Sequence, residues 1–178
     1  AHLGIILLLI GHLFTTTLVD RTDPAHQVVL PQGEIVEHSG MQLMFTDWVL
    51  LSEDDSEFEE RFSVGDGYLG ATIEVRNSRG ELLDVVEPGM LRFDGYGSFP
   101  RSEVDRTLLW SGDVVFIFDW TQAQQLGNES MLGESDELDR VRLTVYDLHG
   151  SHLVWIGWVI LLLATLANWR AWAPSKHG

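Results

Sequence analysis

Two uncharged apolar runs bracket this chain, and they restrict its folding more than any other feature. Leu3–Val19 holds 17 residues with no charged side chain and is closed by Asp20-Arg21; Leu153–Trp169 is a second run of 17. Seventeen residues is the lower limit for a helix crossing a hydrocarbon core about 30 Å thick. The second run is bounded by Trp155 and Trp158 on one side and by Trp169 and Trp172 on the other. That is the pattern of an aromatic belt at each membrane–water boundary. Arg170 and Lys176 follow it, so the excess of positive charge places the C-terminus in the cytoplasm. The expected organisation is a transmembrane helix over 1–19, an extracytoplasmic domain over 20–150, a second transmembrane helix over 151–172 and a cytoplasmic tail over 173–178. The first run has no initiator methionine, basic start or small-residue cleavage site. It therefore reads as a helix truncated at its start, within a split or cut larger protein, rather than as a signal peptide.

Charge is confined to the middle. All 27 acidic residues lie between Asp20 and Asp147, and the nine arginines among them leave that segment near −18. The chain has one lysine against ten arginines. A carboxylate-rich, lysine-poor surface suits concentrated salt, where self-repulsion is screened, so a halophilic source is expected; an ordinary acidic extracytoplasmic domain is the alternative. Either surface repels the phosphate backbone of nucleic acid. The absence of cysteine excludes disulfides, zinc–thiolate sites, covalent haem attachment to this chain and cysteine nucleophiles.

Between the runs the patterning is β. Met41–Leu51 is rich in aromatic and branched residues. Tyr68–Asn77 and Glu81–Pro88 flank Ser78-Arg79-Gly80, a hairpin turn. The series continues through Thr107–Trp110, Asp113–Trp120 and Asp139–Leu148, where Val141, Leu143, Val145 and Leu148 approximate one buried face. Short strands between turn-rich connections predict a mainly antiparallel β domain, a small barrel or sandwich. The last strand leads almost directly into the second run, which predicts a domain lying on the membrane surface.

Two connections are unusual. Ser52–Phe62 holds six acidic residues within eight positions, Glu53–Glu60. Clustered carboxylates suit calcium, but the stretch lacks the ligand spacing and turn glycine of an EF-hand, and a solvated acidic loop is the favoured reading. Gln124–Glu137 is polar and glycine-containing, which predicts a mobile loop; its Asn128-Glu129-Ser130 is a glycosylation tripeptide.

Motifs of catalysis are missing: there is no nucleophile elbow, phosphate loop, zinc-protease helix or dinucleotide fingerprint. Histidines are the remaining candidates, because an ionisable side chain inside a membrane helix is costly and marks function by default. His2 and His12 lie about 15 Å apart along a helix, too far to share one metal. Axial haem ligands approach opposite faces of a flat ring, so if His2 is a haem ligand its partner has to come from another element. His12, His149 and His152 fall near the expected outer boundary, where water and headgroups satisfy them.

The order of these parts resembles the C-terminal portion of the CcmF family, the large membrane proteins of the cytochrome c maturation haem-ligation complex. The resemblance rests on AHLG opening the first run, on GATIEV, a turn and ELLDVV, and on SEVDRTLLWSGDVVFIF. It closes with VRLTVYDLHGSHLVWIGWVILL passing into a tryptophan-rich helix. It covers nearly the whole chain in order, through short motifs. It implies that His2 is one of two transmembrane histidines holding a b-type haem, the second lying outside this chain. No role carries over to His12. Where the family has a Lys-Pro-Phe stretch before the final span, this chain has Leu148-His149-Gly150.

The expected function is then a part of a haem ligation assembly, supplying one axial imidazole and an outer domain for docking. The implied partners are the complex's other spans or subunits, a haem chaperone, apocytochrome c and membrane lipid. The chain alone would not be catalytic. A non-enzymatic two-span assembly protein, with His2 as a polar helix–helix contact, is the principal alternative. A tethered cation-binding module using Glu53–Glu60 is the third.

Overall fold

A computed structural model describes residues 2–17, 19–94, 99–129 and 138–172. The chain divides into two units. One comprises the described parts of Ala1–Thr22, Leu108–Asp113 and Asp147–Gly178; the other comprises those of Asp23–Thr107 and Val114–Tyr146.

The larger unit is the β domain, and its core follows from period-two alternation. Strands β1 (Gln27–Pro31), β2 (Ile35–His38), β3 (Met41–Ser52), β4 (Gly67–Arg76), β5 (Leu82–Val86), β6 (Gly89–Arg92) and β7 (Arg101–Glu103) come first. They precede β8 (Asp105–Leu109), β9 (Gly112–Phe118) and β10 (Arg140–His149). One sheet has the order β1-β10-β9-β8; the other runs β2-β3-β4-β6-β7, with β5 also paired to β4. Met41, Leu43 and Phe45 of β3, with Ala71, Ile73 and Val75 of β4, are buried on one side. Val114, Phe116 and Phe118 of β9, with Val141, Leu143 and Val145 of β10, supply the other inner face. Trp48 links the two, its ring 5.0 Å from Phe45 and 5.9 Å from Phe118. The sheets are also seamed by backbone: Gln32 forms a parallel bridge to Phe45, while its N–H donates to Asp139 O at 2.8 Å.

The expected hairpin at Ser78-Arg79-Gly80 joins β4 to β5. Gly80 takes φ +80°, and Asn77 N–H donates to Glu81 O at 2.9 Å. Both unusual connections contain helix. Within the acidic stretch, α2 (Ser56–Arg61) buries Phe58. Within the polar stretch, α3 (Trp120–Glu129) opens on Asp119, whose Oδ1 accepts from Gln122 N–H at 2.8 Å. Gln122 is completely buried but fully used: its Nε2 donates to Arg140 O at 2.8 Å and its Oε1 accepts from Arg142 N–H at 2.7 Å. The remainder of that stretch and Ser130 of the tripeptide lie outside the described residues, as does the tail from 173.

The smaller unit is a helical pair with strand ends. Helix α1 (His2–His12) continues as a π-helical turn over Leu13–Thr17, and α4 runs Ser151–Trp172. The change of pitch coincides with two hydroxyls bonding back into the helix, Thr15 Oγ1 to Gly11 O at 3.1 Å and Thr16 Oγ1 to His12 O at 2.6 Å. Such bonds compete with the backbone ladder. Among the described residues one helix is long and apolar enough to cross a bilayer: α4, whose window Ser151–Asn168 has a mean hydropathy of 1.6 over 18 residues. The apolar stretch His2–Thr16 is shorter.

Glycines decide how these helices meet. A Cβ on Gly157 would lie 2.7 Å from Gly4 O and 2.7 Å from Leu8 N; one on Gly11 would lie 2.7 Å from Val154 N. Backbone therefore touches backbone along the seam, as small residues permit between apolar helices. Gly4 meets Gly157 and Leu161 while Gly11 meets Leu153 and Val154, so the pair is antiparallel.

Candidate functional site

The sequence places its best candidate, His2, on α1, and the glycine seam fixes what surrounds it. At about 100° per residue, Gly4 lies about 200° and Gly11 about 180° round the helix from His2. The two glycines face α4, so His2 is on the opposite side. It is exposed there, together with Ile5, Ile6 and Leu9 at 45%, 53% and 59% exposure. The spacing i, i+3, i+4, i+7 makes one stripe, apolar except for an imidazole at its end. Gly4 packs over Gly157, Ile160 and Leu161, which puts His2 about ten residues into α4, roughly 15 Å along its axis. That is half the thickness of a hydrocarbon core.

The other described histidines of this unit, His12, His149 and His152, gather at the opposite end of the helical pair. Gly11 rests on Val154, and the Phe14 ring lies against Gly150, the φ +80° glycine between β10 and α4. His12 is exposed. His149 is two-thirds exposed, with its Nδ1 2.8 Å from Asp147 Oδ1. His152 is half-buried, its Nδ1 without a hydrogen-bond partner among the described residues.

The acidic stretch, read from sequence as a solvated loop, is tied into the fold. Asp55 Oδ2 accepts from Ser52 N–H at 2.6 Å and Ser52 Oγ at 3.0 Å. Arg61 pairs with Glu57 at 3.1 Å and with Glu87 at 2.8 Å. Helix α2 covers a small apolar cluster in which Phe58, Tyr68 and Leu91 are buried against Val49, Leu51, Phe62 and Phe93. The Tyr68 ring spans the cross-strand pair Gly70 and Gly89, where a Cβ would collide with it, an aromatic filling the gap left by two glycines. Its hydroxyl donates to Glu87 O at 2.6 Å, and Arg61 sits 5.3 Å above the ring. Burial pushes the Tyr68 pKa up, opposed by Arg61 and reinforced by Glu87, Asp105 and Glu103.

Among the described residues no group of three or more His, Asp or Glu is placed to hold a metal ion. A hollow of about 170 Å³ at the β2–β3 turn, lined by Glu37, His38, Gly40 and Ser78 among others, is smaller than ordinary ligand pockets. What the α1 stripe offers chemically is one imidazole beside the apolar side chains of Ile5, Ile6 and Leu9, a group able to ligate a metal centre or to make a polar contact with another helix.

No family model, curated protein or solved structure matches the chain.

The cluster around Arg61, Tyr68 and Glu87 was not foreseen from sequence. Phe58 and Phe62, four apart inside an acidic run, were the available signal.

Proposed function

We propose that this chain is part of a membrane haem-ligation assembly of the CcmF type, with α1 and α4 crossing the bilayer and the β domain on the outer side. His2 would supply one imidazole ligand to a b-type haem, and the other would come from another helix of the complex. The observation that supports this reading is the position of His2: exposed, opposite the α4 seam, and near mid-depth of the α4 window. An imidazole stranded there in lipid is costly, and coordination removes that cost. When bound, the haem supplies an electron for keeping delivered haem reduced. This chain's own residues do three simpler things. The glycine seam fixes the rotation of α1, which aims His2 away from α4. Ile5, Ile6 and Leu9 keep water from the ring. The outer domain presents an acidic surface on which a haem chaperone and apocytochrome c dock.

The test is the optical spectrum of the purified parent complex. His2→Ala is expected to abolish the low-spin, six-coordinate b-haem bands, while His12→Ala leaves them intact. A six-coordinate spectrum that survives His2→Ala overturns the assignment. The same exposed stripe also suits a second reading, a two-span assembly protein in which His2 makes a polar contact with a neighbouring helix. In that case His2→Ala loosens the complex and leaves any haem spectrum unchanged.

A further inference from the structure

The turn between β8 and β9 carries an aromatic that nothing among the described residues covers. Trp110 is 99% exposed and Leu108 67%; among the described residues no large apolar side chain is more exposed than Trp110. A tryptophan presents about 150–250 Å² of largely apolar surface, and here almost all of it is uncovered.

Its location relative to α4 is fixed by hydrogen bonds and a close backbone approach within the same unit. Gly150 N–H donates to Ser111 O at 3.0 Å, and Asp113 N–H donates to Ser151 Oγ at 2.8 Å. Gly112, at φ +151°, lies so close to Leu148 O that a Cβ would overlap it. The turn is thereby clamped to the first residues of α4. Two further exposed tryptophans, Trp155 and Trp158, follow on that helix at about 6 Å and 10 Å along its axis from Ser151. Leu108–Gly112 contains no charge, in a chain of net charge −16. Bare tryptophans grouped at the beginning of an apolar helix are what the boundary between headgroups and acyl chains accommodates.

We propose that Trp110 of the β8–β9 turn, with Leu108 near the end of β8, is a membrane anchor, its occupant being the headgroup and upper acyl region of the outer leaflet. This rests on the reading of α4 as a span. It extends that reading to a second attachment point beside the start of α4, which restrains the strand ends at the bilayer surface.

The chain has no cysteine, so single nitroxide labels can be introduced without background. Full-length chains carrying Trp110→Cys, Leu162→Cys or Ser78→Cys are reconstituted into vesicles of phosphatidylcholine and phosphatidylglycerol. Accessibility to oxygen and to a water-soluble nickel chelate then reports depth. The 162 label, on an exposed face of α4, is expected to meet oxygen and exclude nickel; the 78 label, on the β4–β5 turn, to meet nickel freely. The 110 label should fall between them, with nickel accessibility at least threefold below that at 78. Leu108→Cys, which keeps Trp110, should give the same order. If 162 lies in lipid while 110 is as open to nickel as 78, the anchor is wrong and the span stands. If 110 excludes both reagents, protein covers the turn and the anchor is again wrong. If 162 itself meets nickel freely, the span fails and the anchor with it.

Discussion

An alanine placed at an exposed glycine inside a helix normally stabilises it by about 0.8–1 kcal/mol; at Gly157 the sign should reverse. The added carbon would lie 2.7 Å from Gly4 O, 2.7 Å from Leu8 N and 2.9 Å from Leu8 Cβ. Two of these are backbone atoms, so no rotamer change relieves the contact. Comfortable separation for such atoms begins near 3.5 Å, and the helices must therefore part by roughly 0.8 Å. A gap of that size forfeits a quarter to a half of each dispersion well, about 0.1–0.2 kcal/mol per atom pair, along the seam from Gly4 to Gly11. The sum falls at the upper end of the ~1–3 kcal/mol typical of overpacking. After subtracting the propensity gain of about 1 kcal/mol, the net loss is about 2 kcal/mol. The assay is unfolding in mixed micelles by added SDS, followed by helical ellipticity. Gly157→Ala should unfold at clearly lower SDS fraction than the parent, and Gly157→Leu lower still. An unchanged or raised midpoint for Gly157→Ala would show that α1 and α4 do not touch backbone to backbone. The rotation assigned to His2 would then lose its support.

Two further predictions concern the β domain. The Tyr68 pKa is raised by burial, so its contribution to stability is intact below the unfolded value of about 10 and is lost as pH rises past it, at up to ~1.4 kcal/mol per pH unit. Urea midpoints at pH 8 to 11 should show Tyr68→Phe starting about 1 kcal/mol lower, for the missing bond to Glu87, but falling less steeply above pH 10; parallel curves refute the assignment. Phe58→Ala should cost about 3–5 kcal/mol by emptying the site under α2, whereas amides at Glu53, Asp54, Glu59 and Glu60 should each stay within about 0.5 kcal/mol. A loss below about 1 kcal/mol for Phe58→Ala would mean that α2 is not a lid.

The strands legible in the sequence were those long enough to show alternation. Met41–Leu51 became β3 and Asp139–Leu148 became β10, with Val141, Leu143 and Val145 buried as their spacing predicts; Leu148, at the far end, is only half-buried. β6 and β7, at four and three residues, are too short for a period to register. The helices were hidden for different reasons. In α2 the carboxylates masked the Phe58–Phe62 pair. In α3, Asp119 followed three residues later by Gln122 is a capping signature, overlooked because the residues after it are polar. The seam at Gln32 was not readable at all, because a parallel bridge to Phe45 depends on where two distant strands come to rest.

The two histidines of α1 show most directly what structure adds to patterning. Their ten-residue separation in sequence says only that they cannot share a metal. The seven-residue separation of Gly4 and Gly11 says which side of the helix is occupied, because both glycines admit α4 backbone. His2 lies opposite that side at the level of mid-α4; His12 lies at the level of the turn where Phe14 meets Gly150. In the proposed assembly, then, α4 cannot bring a ligand to the His2 stripe without giving up the glycine contacts. The second imidazole has to arrive on a third helix packed over Ile5, Ile6 and Leu9. A large polar substitution at Leu9 should therefore disturb the haem site while sparing the α1–α4 pair, and Gly157→Ala should disturb the pair first.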